Sequence, residues 1–311
     1  MSEQRGGSAD GAAADDRRER LGLRLSASAS AVLGVVAVVW GLTVQSQALL
    51  LDGVYALIGT GLSLLTLRAA RLVAAGPTPR YPFGREALGP LMVGVQGLVL
   101  LGTLLYASVD AVLTIRSGGS QAAVGSALVY AVLSLALSVV LLVVMRRLGT
   151  TSELVGAEEA QWRAGAVLSG VLAVGFGLAV VLTRLGIDTV VPYVDPVLVI
   201  AAAGLLIPTP LRMLRTSLRE LLEATPPASI TGPVADAVAA VRQDFGLPEP
   251  DLRIGKLGRK LYVELDFVVE PGAWDVGDAD LVRRNLVDRL TQPGQLLWVN
   301  VELHTDPAWD H

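Results

Sequence analysis

Six stretches of the chain carry no charged side chain: residues 25–51, 53–67, 87–109, 117–145, 164–183 and 196–211. A helix needs about 20 mostly apolar residues to cross the hydrocarbon of a bilayer, so the pattern predicts six spanning helices. The first two are separated only by the polar Gln45-Ser46-Gln47 turn, and the second, running from about 48 to 71, encloses Asp52. The sixth opens at Asp195-Pro196 and is the shortest. Past residue 211 the pattern changes. Residues 211–224 continue as an amphipathic linker helix that stops at Thr225-Pro226-Pro227. Beyond it, helical spacing covers 230–245, strands cover 251–257 and 260–270 around Gly258, a second helix covers 278–290, and a last strand covers 296–303.

That order, αββαβ, defines a small two-layer α+β domain of ferredoxin-like type, short enough to gain from association with a second copy. The predicted division is a tail over 1–24, a six-helix membrane domain over 25–210, a linker over 211–227 and the α+β domain over 228–311. Residues 1–24 are rich in Gly, Ala, Asp and Arg without apolar periodicity, which reads as a disordered tail and is too polar for a cleaved signal peptide.

Composition agrees with a membrane protein: 52% of residues are hydrophobic, 17% are charged and the mean hydropathy is +0.55. There is no cysteine, so disulfides, thiolate metal sites and cysteine nucleophiles are excluded, and any metal must be held by oxygen or imidazole. The net charge of -4 hides a split. Residues 1–222 hold 17 basic against 14 acidic side chains, whereas 223–311 hold 8 against 15. Arginine placement sets the orientation, because positive loops stay in the cytoplasm. Fifteen arginines fall on the side of the two termini and only Arg116 and Arg184 on the other, which puts both termini on the cytoplasmic side of the cell membrane.

Local sequence adds a resemblance. Gln47-Ala48-Leu49-Leu50-Leu51-Asp52-Gly53, Tyr81-Pro82-Phe83-Gly84 followed by Glu86, and Glu159-Ala160-Gln161-Trp162-Arg163 are similar to motifs of the cation diffusion facilitator family. So are Val194-Asp195-Pro196, residues 218–226, and His304-Thr305-Asp306-Pro307, in the same order and from residue 25 to the end. The resemblance implies a homodimer, joined through the cytoplasmic domains. It also implies export of a divalent ion such as zinc, manganese or iron, in exchange for protons and by alternating access.

In that family, two ligands four residues apart on the second helix and two on the fifth, normally His or Asp, form a tetrahedral site in mid-membrane; such spacing places both on one helix face. The matching positions here are Tyr55 and Gly59, and Gln161 and Gly165. None is a histidine or carboxylate. A dehydrated dication in a low dielectric needs such ligands to offset its lost hydration, so the usual site is replaced. Depth places Tyr55 about 10 Å along its helix at about 1.5 Å per residue, with Gln161 at a similar depth from the other side, so that the two meet in mid-membrane.

Other groups carry alternatives. Asp52, one turn before Tyr55, is a transport-path carboxylate or a hydrogen-bonding group near the outer mouth. Asp110 and Asp195 lie near helix ends and read as structural. Glu158 and Glu159 line a cytoplasmic mouth or form a solvated helix start. Glu86 pairs with Arg80 or Arg85, and the glycines at 53, 59, 61, 94, 97, 165 and 170 serve close helix packing. In the C-terminal domain the resemblance implies a metal site from Asp266, His304 and Asp306, the last two on one strand face at i and i+2, with Asp251 beside Pro250 as a substitute ligand. His311 is terminal.

No Walker loop, HExxH, nucleophile elbow or dinucleotide fingerprint is present, and two lysines with an acidic soluble domain argue against nucleic acid. The expected function is therefore a membrane cation transporter and not an enzyme, requiring no cofactor and taking a divalent metal as substrate or regulator. The alternatives are a transporter of another ion or solute, and a transport-inactive regulatory or scaffold paralogue that pairs with an intact relative.

Overall fold

The computed structural model describes residues 25–148, 153–291 and 296–306. The tail expected over 1–24, the side chain of Glu158 and His311 lie outside the described residues. Six helical segments are long and apolar enough to cross a membrane, the sixth running from Val191 on to Leu221. The helices are α1 (Leu25–Val44), α2 (Gln47–Ala74), α3 (Leu88–Arg116), α4 (Val124–Leu148), α5 (Glu153–Arg184) and α6 (Val191–Leu206). Then follow α7 (Pro208–Leu221), α8 (Ala228–Phe245), β1 (Asp251–Leu257), β2 (Lys260–Val268), α9 (Val276–Leu290) and β3 (Leu296–His304). The linker helix thus begins at Pro208 rather than near 211. Proline suits a helix's first turn, where its missing N–H has no partner to lose.

The chain forms two compact units. The first holds residues up to 64 and 96–211; the second joins residues 65–95 to everything after 211. The hydropathy pattern did not give that second grouping, since it ran 65–95 with the other spanning segments.

In the first unit, Leu49 of α2, Leu104 and Ala111 of α3, Tyr130 and Ala131 of α4, Leu172 and Phe176 of α5, and Val199 and Ala203 of α6 share one buried core. Pro196 inside α6 cannot donate to the Pro192 carbonyl four residues back. That carbonyl instead accepts from Ser120 N at 2.7 Å, which stitches the α3–α4 loop to α6. Gly119 makes the approach possible: its φ is +95°, and a Cβ there would lie 2.5 Å from Pro192 Cβ.

In the second unit, β1 pairs antiparallel with β2, and β2 pairs parallel with β3 after the α9 crossover, in the order β1-β2-β3. Alternation along β2 buries Leu261, Val263, Leu265 and Phe267 against Val238 and Val241 of α8 and Val282 and Leu286 of α9. The opposite sheet face stays open. Helix α8 ends on Gly246, whose φ of +66° supplies the left-handed cap. Helix α9 starts two residues before its expected 278 because Asp275 and Asp278 form a reciprocal capping box. The observed order αββαβ is the expected one.

Candidate functional site

The α1–α2 turn is tied down by acids from two other helices. Asp195 of α6 is fully buried; its carboxylate accepts from Ser46 Oγ at 2.5 Å, Gln47 N at 2.8 Å and Ala48 N at 3.3 Å. Those backbone donors are among the orphan N–H groups of the first turn of α2, so Asp195 acts as a cap supplied from a distant helix. Gln47 Nε2 donates to Asp110 Oδ2 at 2.7 Å and to Thr114 Oγ1 at 2.8 Å. Both acids are thus engaged by groups of the α1–α2 turn and the start of α2.

Asp52 follows on α2, half-buried, and its Oδ2 accepts from the Tyr130 hydroxyl of α4 at 3.0 Å. Tyr55 is half-buried against the shared core. At Gly59 an added Cβ would meet nothing within 4 Å, and at Gly165 only Ser138 Oγ at 3.6 Å. Gly61 and Gly170 are likewise open. Close packing within the chain is therefore not what Gly59, Gly61 and Gly170 serve. It is what Gly53 serves, where a Cβ would stand 2.7 Å from Val38 N, and Gly94, whose Cβ would run into Ser217. Helix α5 begins at Glu153, as expected, and Gln161 is exposed on it. Glu159 pairs with Arg146 at 3.0 Å.

A second cluster lies on the open sheet face of the C-terminal domain. The parallel register sets Asp266 opposite Glu302 and places His304 two pairs further on, opposite Val268 and on the same face as Glu302. One donor atom from each of Asp266, Glu302 and His304 lies within 4.8 Å of the others. His304 Nε2 is 3.4 Å from Glu302 Oε2 and 3.7 Å from Asp266 Oδ1. Arg253 Nη2 holds the other Asp266 oxygen at 3.2 Å and Asp251 Oδ2 at 2.7 Å. The hydrogen bond to Asp251, together with nearby acid charge, raises the guanidinium above its ordinary value. Asp251 is thereby engaged by an arginine. Asp306 lies beyond the end of β3, exposed, and is not one of the three clustered groups. One imidazole and two carboxylates form a donor set that fits a divalent ion, with Asp266 Oδ1 left free by the arginine. The sequence signal for Glu302 was present: it precedes His304 by two, on the same strand face.

In the second unit Glu86 is buried, and its Oε2 has no hydrogen-bond partner. Among the described residues no ion pair joins it to Arg80 or Arg85, whose guanidinium groups lie 5.9 and 4.4 Å from the Tyr81 ring centre. Its main chain meets the β1–β2 turn instead, where a Cβ on Gly258 would be 2.8 Å from Glu86 O. Burial first, then the charges of Glu86 and Glu223, hold the Tyr262 phenol above its ordinary value.

Six membrane-capable helices followed by a small three-stranded domain define a multi-pass membrane protein. Residues 23–222 match the family description "Cation efflux transmembrane domain". The chain belongs to the cation efflux family and is a membrane cation transporter. No curated protein sequence matches it.

Proposed function

We propose that this chain exports a divalent metal ion from the cytoplasm in exchange for protons, by alternating access, as a homodimer in the cell membrane with both termini inside. The orientation rests on the fifteen-to-two arginine asymmetry. The substrate class rests on one observation: of the two glycine positions where the family resemblance places ligands, Gly59 faces open space and Gly165 faces only the Ser138 hydroxyl. A naked dication needs anionic ligands in a low dielectric, whereas an ion that keeps part of its water shell needs room. Asp52 and Tyr55 on α2, with Gln161 on α5, offer only oxygen donors to a cation, which suits harder ions such as manganese better than zinc.

The C-terminal domain takes the regulatory part of the function. Asp266, Glu302 and His304 hold a divalent ion there, joining β2 to β3 and reporting cytoplasmic metal.

The test is uptake of manganese, zinc, iron and cobalt into proteoliposomes under an imposed pH gradient, with empty vesicles as control. Saturable flux, larger for manganese than for zinc, is the expected result. Absence of flux for all four in folded, dimeric protein overturns the proposal and leaves a different solute or a non-transporting partner.

A further inference from the structure

The loop between α2 and α3 turns aromatic rings and cations outward. Phe83 is 70% exposed and Tyr81 42%. The guanidinium groups of Arg80 and Arg85 lie 5.9 and 4.4 Å from the Tyr81 ring centre, and among the described residues neither is in an ion pair. The same compact unit brings the starts of two strands to this loop. The Phe83 ring meets the Trp298 ring of β3 edge-on, with centres 6.5 Å apart and planes at 69°. Trp298 stands beside Tyr262 in the β2–β3 register. Lys260 holds its ammonium 4.2 Å from the Trp298 ring centre and 4.9 Å from that of Tyr262, within reach of a cation–π contact. Rings and not carboxylates therefore hold all three cations, and their charge is not neutralised. The acid in the loop, Glu86, is buried against the β1–β2 turn.

Chain position fixes where this cluster lies. The charge-free run of α3 opens at Ala87, two residues after Arg85, so the loop reaches the hydrocarbon boundary there. Tyr and Trp beside Lys and Arg are the side chains that settle at a bilayer surface, rings toward the acyl chains and charges toward the headgroups. Along the open face of the sheet the chemistry then changes. Lys260 and Leu296 form the first pair of β2 and β3, whereas Asp266 and Glu302 form a pair six residues further on, about 20 Å away at about 3.3 Å per residue. A second copy of this chain is a poor occupant for the aromatic end. A two-fold contact sets a patch against itself, which here opposes unpaired cations with unpaired cations. Negative charge next to an apolar layer is what the patch lacks.

We infer that Arg80, Tyr81, Phe83, Arg85, Lys260 and Trp298 form a binding surface for anionic lipid headgroups, which holds the start of the sheet at the bilayer and leaves its Asp266–Glu302 end to water. Phe83 and Trp298 enter the acyl boundary, and the three cations meet lipid phosphates. The inference needs the chain to cross a membrane and is independent of which ion it moves.

The absence of native cysteine allows a single label on the full-length protein. Leu296→Cys, at an exposed position where β3 starts, carries a bimane fluorophore; Glu270→Cys, at an exposed position past the far end of β2, is the control. Each is reconstituted in phosphatidylcholine vesicles with a fixed share of headgroup-nitroxide phosphatidylcholine as quencher and a rising share of phosphatidylglycerol. Quenching at 296, and not at 270, is expected to grow with phosphatidylglycerol and to fall as salt rises from about 0.05 to about 0.5 M, where screening shortens the reach of charge. Arg80→Gln, Arg85→Gln and Lys260→Gln are each expected to raise the phosphatidylglycerol share at half-maximal quenching roughly fivefold, the scale of one cation beside an anionic leaflet. Quenching at 296 that ignores lipid charge and salt overturns the inference, as does its absence in every vesicle. A second copy as the occupant shows as Phe83→Ser lowering the dimer fraction in neutral detergent while phosphatidylglycerol leaves quenching unmoved, and likewise overturns it. No flux is measured, so failure of the transport reading leaves this result standing.

Discussion

Asp195 Oδ2 accepts a hydrogen bond from the backbone N of Gln47 at 2.8 Å, across 148 positions of sequence. A carboxylate on the sixth spanning helix thus completes the first turn of the second, and its negative charge faces the positive end of that helix. Replacing Asp195 by Ala leaves Ser46 Oγ and two backbone N–H groups buried without acceptors. The expected loss is about 1–3 kcal/mol for each donor that water cannot reach, seen as a lower unfolding temperature of the purified protein in detergent. Asp195→Asn, which keeps one acceptor oxygen, recovers part of it. An unfolding temperature unchanged in Asp195→Ala counts against the cap.

Glycines on α2 separate by what surrounds them. Gly59→Leu places its side chain in open space, so stability stays within about 0.5 kcal/mol of the parent while cation flux falls. Gly53→Ala drives a methyl into the α1 backbone at 2.7 Å and costs about 1–3 kcal/mol as overpacking. Measuring both unfolding temperature and flux for the two variants checks the pair. Undiminished flux in stable Gly59→Leu removes that space from the ion path.

For the C-terminal cluster, calorimetric titration of the full-length protein with zinc and manganese gives the ligand set. Asp266→Asn, Glu302→Gln and His304→Ala are each expected to weaken binding, by roughly 10- to 100-fold, and Asp306→Asn is expected to leave it within a factor of about two. The reverse ranking of Glu302→Gln and Asp306→Asn moves the ion off the sheet face to the chain beyond β3.

The Tyr262 phenol reports on Glu86. Its value is raised above 10.0 by burial first and by the charges of Glu86 and Glu223 next. The folded protein therefore holds this proton more tightly than the unfolded chain. The stabilisation is fully present below the unfolded value near 10 and is lost as pH rises through the folded value. The difference in alkaline absorbance between wild type and Tyr262→Phe follows that one phenol. In Glu86→Gln its midpoint is expected to move down toward the ordinary value without reaching it, because burial remains. An unmoved midpoint places Glu86 too far away to act.

Much of the architecture was legible because its signals are local. A charge-free run either is or is not long enough to cross hydrocarbon, and the period-two alternation from Leu261 to Phe267 records a one-sided strand whatever lies around it. The α9 boundary was misplaced by two residues because Asp275 looks like any loop acid until Asp278 reaches back to it.

By itself the sequence determined six helices able to span a membrane, the αββαβ order of the C-terminal domain, and the identity of the residues at 55, 59, 161 and 165, none of them a histidine or an acid. Those are properties of composition and spacing, and no contact is needed to state them. Only the tertiary structure decided which polar groups meet: Asp195 with the start of α2, Asp52 with Tyr130, Glu302 beside His304, and open space at Gly59 where a packed glycine was expected. In an apolar bundle a hydroxyl or carboxyl is costly until it is paired. Its partner stands on another helix, at a sequence distance that periodicity along one helix does not encode.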